Sequence, residues 1–279
     1  MLEKRRDDRR AAGGGSSARS LQREVDDLLR LHEEAARRGA VRAAEAASLA
    51  EALAGALDDR ALEARPVTIS ALDESTTVHA LNTGLLAMSL ARHLAFDEEG
   101  ILSAGLAGLL HDIGKTRIGD LPAVSPDALS AEEQSVLRSH TVEGARLLLD
   151  SGKRLSGAAI VAYEHHLDWR GEGRYPPTRF ARAPYVLSRI VAVCDAYDVL
   201  RSERSFRAAL SRQAALAYLE IIAGRSLDPD LVAAFTELAR AGLPRVALPA
   251  SRPEAGIGEI GWLPENGYDP DCEPRPVRL

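Results

Sequence analysis

Seven residues of metal-ligand type recur along this chain at intervals of one helix and its connection, and that spacing limits the folds open to it. They are His79, the pair His111 and Asp112, His140, the pair His165 and His166, and Asp195, separated by gaps of 32, 28, 25 and 29 residues. A bundle whose successive helices each deliver one or two such groups to a common centre satisfies the pattern. The intervening sequence agrees. Val78, Leu81, Leu85 and Met88 form an apolar stripe at helical spacing, so a helix is expected over residues 75–94. Ser130 and Glu133 make a capping box that opens a helix expected to run to about residue 149. Residues 157–166, 184–200 and 211–223 read the same way, and Asp228-Pro229 is an N-cap with proline in the first turn of a last helix, to residue 241. No stretch alternates convincingly with period two, so the expected class is all-α.

The flanks differ in composition. Residues 1–20 combine Lys4, Arg5, Arg6, Arg9 and Arg10 with Gly13-Gly14-Gly15-Ser16-Ser17 and are expected to form a disordered tail. Residues 21–66, rich in Ala, Leu, Glu and Arg, are expected to supply a helical linker or dimerisation segment, where a second copy or a signalling partner would attach. Residues 67–242 carry the seven groups. Residues 243–279 hold 7 of the 14 prolines and are expected to form an extended tail. A net charge of −6 argues against broad neutralisation of a DNA backbone. The two cysteines, Cys194 and Cys272, make neither a disulfide framework nor a thiolate metal site, and a cytoplasmic setting is expected. The apolar run 101–110 is too short for a membrane span.

Adjacent ligands diverge by about 100° in a regular helix, so they converge only at a helix end. Gly114 is placed to end a helix just after His111 and Asp112, and the glycine-rich segment 171–176 follows His165 and His166. Gly144, one turn beyond His140, clears room for a close approach. Asp195 follows the apolar run 190–194, and a carboxylate buried there requires a cation or strong donors. Five imidazoles and two carboxylates without thiolate suit first-row divalent ions better than calcium. Seven groups exceed the needs of one ion, so two ions are expected, with Asp112 bridging them. Such a pair activates a water at neutral pH and clamps a phosphoryl group, the chemistry of phosphate-ester hydrolysis. Lys115, one of three lysines beside 32 arginines, is read as a catalytic and phosphate-pairing charge. His32 and His93 are read as lying outside the site.

At His111-Asp112-Ile113-Gly114-Lys115 the chain resembles the HD superfamily of metal-dependent phosphohydrolases, and over about residues 70–240 it resembles the HD-GYP branch. The resemblance implies an HD-domain helical bundle around two divalent transition-metal ions, Fe or Mn, and a phosphodiesterase acting on a cyclic dinucleotide such as cyclic di-GMP. His79, His111, Asp112, His140, His165, His166 and Asp195 match the family's ligands. By the same resemblance Lys115, Tyr175, Arg204 and Arg207 would contact substrate, and Asp198 would support a ligand. The family's loop is altered: Leu167 stands for an acid, Arg170 for an aspartate, and Arg174 is inserted between Gly173 and Tyr175. Ser75 takes the place of a third-metal glutamate, with Glu74 beside it, and residues 121–126 lack the family's lysine-proline-glycine. Two alternatives follow from these departures: hydrolysis of another nucleotide or phosphate ester, and a signalling module that binds without hydrolysis.

Overall fold

The computed structural model describes residues 21–58, 74–119, 121, 128–171, 174–179, 182–202 and 207–244. They form ten α-helices: α1 (Gln22–Arg38), α2 (Ala43–Asp58), α3 (Glu74–His93), α4 (Glu98–Leu110), α5 (Ala131–Arg138), α6 (His140–Asp150), α7 (Ser156–Glu164), α8 (Val186–Arg201), α9 (Arg212–Ile222) and α10 (Pro229–Ala241). A 3₁₀ turn, Ile113–Arg117, follows α4. Among the described residues no strand forms, and an isolated bridge joins Ala223 to Leu227. The all-α expectation holds. No described helix is long and apolar enough to cross a membrane.

Local sequence explains where the helices start. Asp97, Ser130, Ser211 and Asp228 each accept a backbone N–H of the first turn, and Ser130 with Glu133 forms the expected capping box. The helix expected from Ser130 to about residue 149 is broken into α5 and α6 at Ser139. Ser139 Oγ takes the carbonyl of Val136 and His140 Nδ1 takes that of Leu137. Side chains thus engage carbonyls that a continuous helix would use. The break places His140 at the first residue of α6.

Helices α3 and α4 form the middle layer. One face of α3, with Leu86, Ala87, Leu90 and Ala91, packs into a core shared with α8, α9 and α10. The other, with Ala80, Leu81, Leu85 and Met88, packs into a second core with α1, α2, α6 and α7. Val25, Leu28 and Leu53 of the two N-terminal helices are fully buried in that second core. Residues 21–58 of the segment expected as a linker or dimerisation element thus bury these apolar side chains inside the chain. The expected tail 1–20 and all but the start of the tail 243–279 lie outside the described residues.

Leu28→Ala is expected to cost the whole domain about 3 kcal/mol, as for other buried leucines. Urea unfolding followed by circular dichroism measures this; a cost below about 0.5 kcal/mol would make α1 an appendage.

Candidate metal centre

The seven groups meet between α3, the α4 end, the start of α6, the end of α7 and the middle of α8, and all seven are buried. Helix α4 ends at Leu110, and His111 and Asp112 turn into the 3₁₀ segment. Gly114 does not end the helix by a left-handed residue, as expected; it serves close approach. A Cβ there would lie 1.9 Å from the His140 carbonyl oxygen and 2.5 Å from the Gly144 nitrogen, so only glycine lets this turn rest on α6.

Three histidines are held alike. His111 Nδ1 is 2.7 Å from the Gly108 carbonyl and His140 Nδ1 2.6 Å from that of Leu137. His165 Nδ1 lies 3.1 Å and 3.2 Å from the carbonyls of Ala162 and Val161. A carbonyl only accepts, so each Nδ1 carries the proton and each Nε2 is left with a bare lone pair. Those lone pairs surround Asp112. Its Oδ1 is 3.2 Å from His140 Nε2 and 3.7 Å from His165 Nε2. Its Oδ2 is 3.3 Å from His111 Nε2 and 3.9 Å from His79 Nε2.

The ligand atoms fall into two groups. Those of Asp112, His140, His165 and His166 lie within 4.8 Å of one another, as do those of His79, His111 and Asp195. The donor chemistry fits a cation in each. His140 Nε2 and His165 Nε2 stand 3.4 Å apart with both Nδ1 protons committed to carbonyls, about the separation of two nitrogens that share one small ion at 2.0–2.1 Å. His111 Nε2 and Asp112 Oδ1 are buried without a hydrogen bond, an expensive arrangement unless a cation takes them up. In the second group His79 Nε2 is 3.1 Å from Asp195 Oδ1, so a proton there occupies the place of a shared cation.

Electrostatics follow from this packing. Burial works against charge on His79, yet hydrogen bonds to Asp195 and Asp198 prevail and raise its pKa to about 9. Burial likewise opposes ionisation of Asp195, but His79 brings it down to about 2. Asp112, also resisting burial, is held well below the usual carboxylate range by the Lys115 ammonium. His165 is lowered, chiefly by burial. The centre thus keeps its carboxylates ionised.

Two supporting groups escape the spacing pattern. Asp198 Oδ2 accepts from His79 Nδ1 at 2.7 Å, and Asp198 Oδ1 accepts from Asn82 Nδ2 at 2.7 Å. Asn82 lies one turn after His79 on α3, and nothing short of the tertiary contact marks it. Glu164, directly before His165, is buried and accepts from Arg182 at 2.5 Å, the Tyr185 N–H at 2.7 Å and Ser188 at 2.9 Å. It ties the double histidine to the start of α8.

The expected substrate contacts have varied surroundings. Lys115 Nζ pairs with Asp112 Oδ2 at 2.8 Å. Tyr175 is buried and stacks on His166, with 4.6 Å between ring centroids. The Arg207 guanidinium caps the end of α8, reaching the carbonyls of Val199 at 2.5 Å and Leu200 at 3.2 Å. Arg204, the side chains of Glu74 and Ser75, and residues 122–126 lie outside the described residues. In the altered loop Leu167 is buried beside Trp169 and Arg189, and the Arg170 guanidinium lies 4.9 Å from the Trp169 ring centre. Arg174 adopts a positive φ of 51°. His93 sits 3.7 Å from Glu237, and His32 is buried in α1; neither joins the centre.

Comparison with known proteins agrees with this arrangement. Residues 76–200 match the HD domain family. The cyclic di-GMP phosphodiesterase PA4108 of Pseudomonas aeruginosa is 33% identical over 171 residues, covering 61% of this chain and 41% of that protein. The cyclic di-GMP phosphodiesterase response regulator RpfG of Xanthomonas campestris pv. campestris is 37% identical over 144 residues, covering 51% and 38%. The chain thus spans about two fifths of the length of these curated relatives. In fold it is similar to Bd1817, a HDG"Y"P protein from Bdellovibrio bacteriovorus, with a TM-score of 0.58 at 16% identity over 81% of this chain and 74% of that one. Residues 76–200 are thus similar to the HD domain family, and the bundle is similar in fold to the Bdellovibrio protein.

Ligation at His79 Nε2 needs the neutral ring, because Nδ1 keeps its proton on Asp198. Below about 9 a metal must displace a proton, so affinity at this group is expected to rise roughly tenfold per pH unit from 7 to 9. Competition of Mn(II) against a chelating dye across this range measures it; an affinity level above pH 7 would contradict it.

Proposed function

We propose that the chain is a metal-dependent phosphodiesterase that hydrolyses a cyclic dinucleotide such as cyclic di-GMP. The observation that carries this reading is the Asp112 carboxylate, whose two oxygens face two different sets of ligand nitrogens. Asp112, His140, His165 and His166 would hold one divalent ion, and His79, His111 and Asp195 with Asp112 the other. Fe or Mn suits this nitrogen and oxygen donor set. When bound, such ions supply an activated water and neutralise charge on a phosphoryl group.

The chain's own residues provide the rest. Asp198, itself held by Asn82, holds His79 by its Nδ1, and backbone carbonyls hold His111, His140 and His165, so the ligand nitrogens are aimed before anything binds. Lys115 keeps Asp112 ionised and carries an ammonium at the edge of the centre, where a phosphate oxygen would pair with it. Tyr175 walls the His166 side. Arg207 stabilises the end of α8, the helix bearing Asp195 and Asp198; Arg204 is assigned to substrate phosphate by family resemblance alone. The free thiol of Cys194 inside α8 suits a cytoplasmic location. The changes at Leu167, Arg170 and Arg174 favour, as a second reading, the same hydrolysis on another nucleotide or phosphate ester.

Protein loaded anaerobically with Mn(II) or Fe(II) is expected to convert cyclic di-GMP to the linear dinucleotide or GMP, and Asp112→Asn to lose at least about a hundredfold in kcat/KM. Turnover confined to other phosphate esters in a substrate panel would select the second reading. Full activity of Asp112→Asn would overturn both.

A further inference from the structure

Two cations reach solvent at the edges of the centre, on opposite sides of Asp112 in the chain of contacts. Lys115 lies against Asp112 Oδ2, the oxygen turned toward His111. Arg138, the last residue of α5, holds its guanidinium carbon 5.5 Å from the centre of the Tyr175 ring. Tyr175 stacks on His166, with ring planes 39° apart, and His166 belongs to the group on the Oδ1 side of Asp112. The order is therefore Lys115, Asp112, the histidine group that includes His166, Tyr175, Arg138. Tyr175 and the ligands are buried, whereas Arg138 is exposed and Lys115 partly so. The side-chain hydrogen bond of Arg138, to Gln134 Oε1 at 3.5 Å, is long and made to a neutral acceptor.

A guanidinium resting near an aromatic face loses little further freedom on binding and presents a fork that matches two phosphate oxygens. Sequence spacing did not single out Arg138, because α5 and α6 read as one helix and the loop bearing Tyr175 is distant along the chain.

We propose that Arg138 binds a second phosphate of the substrate, so that the site selects ligands with two phosphate groups, one at the metal centre beside Lys115 and the other on Arg138. This deepens the phosphodiesterase reading above and rests on it. A cyclic dinucleotide carries two phosphodiesters in one ring and meets the requirement; a simple diester with one phosphate engages only the centre.

The test compares cyclic di-GMP with bis(p-nitrophenyl) phosphate, which has a single phosphate, on the Mn(II)-loaded full chain. Arg138→Ala is expected to lower the ratio of kcat/KM for cyclic di-GMP over that for the simple diester about tenfold, with the loss residing in KM. Arg138→Lys, which keeps the charge, is expected to recover most of the ratio. An unchanged ratio in Arg138→Ala, whether both activities hold or fall together, would overturn the proposal, since a residue that only props Tyr175 affects both substrates alike. Failure of the underlying reading is seen in the unmodified protein instead, as cleavage of the simple diester without cleavage of cyclic di-GMP, and it removes this proposal too. Metal content and circular dichroism of each variant confirm that the exposed substitution leaves the centre assembled.

Discussion

Asp112 is a buried carboxylate with histidine nitrogens facing both of its oxygens, and the rest of the bundle is arranged around that contact. For three of those histidines a backbone carbonyl three or four residues upstream takes the Nδ1 proton, so the nitrogen that points inward is a lone pair. Lone pairs and negative oxygens repel, and burial denies them water. Only positive charge among them settles the cluster. Lys115 and the proton on His79 supply part of it, and the remaining donors form two groups that could each hold a metal ion.

That requirement accounts for otherwise separate features of the fold. Ligands come largely from places where helices start or stop: His111 and Asp112 after α4, His140 at the start of α6, His165 and His166 after α7. At such ends carbonyls are open to a side chain, and neighbouring residues can leave the divergence of a regular helix. Asp195 and His79 come from inside helices and so need partners across the core, which each supplies for the other while Asp198 and Asn82 complete the set. The glycine at 114 lets the turn after Asp112 press against α6, which brings the two oxygens of one carboxylate within reach of both ligand groups. Farther out, Gly171 at a φ of +76° folds the loop against the carbonyl of Arg182, and Arg182 pairs with Glu164. Packing, backbone conformation and charge therefore act on the same few residues.

The helical class and the seven converging groups were legible in the sequence because both rest on periodicity: apolar residues at helical spacing, and ligand types at one-helix intervals. Capping residues were legible too, since Ser130 with Glu133 and Asp228 with Pro229 act within one turn. What local pattern could not express was competition between contacts. The break at Ser139 depends on side chains taking carbonyls from a helix that propensity alone would continue. The docking of α1 and α2 depends on a complementary face of α3 far along the chain. Arg207 carries the right charge for a phosphate, yet the carbonyls ending α8 lie within its reach. Asn82 and Glu164 have no motif of their own; their roles exist only once α3 meets α8 and the end of α7 meets the start of α8 and the residues leading into it.

By this reading one carboxylate, Asp112, would join two ion sites. Crystals of the protein soaked in Mn(II) and measured for anomalous scattering test it directly. Two peaks are expected, one among His140, His165 and His166 and one among His79, His111 and Asp195, with Asp112 reaching both. A single peak, or peaks that leave Asp112 uncoordinated, would rule out a shared carboxylate.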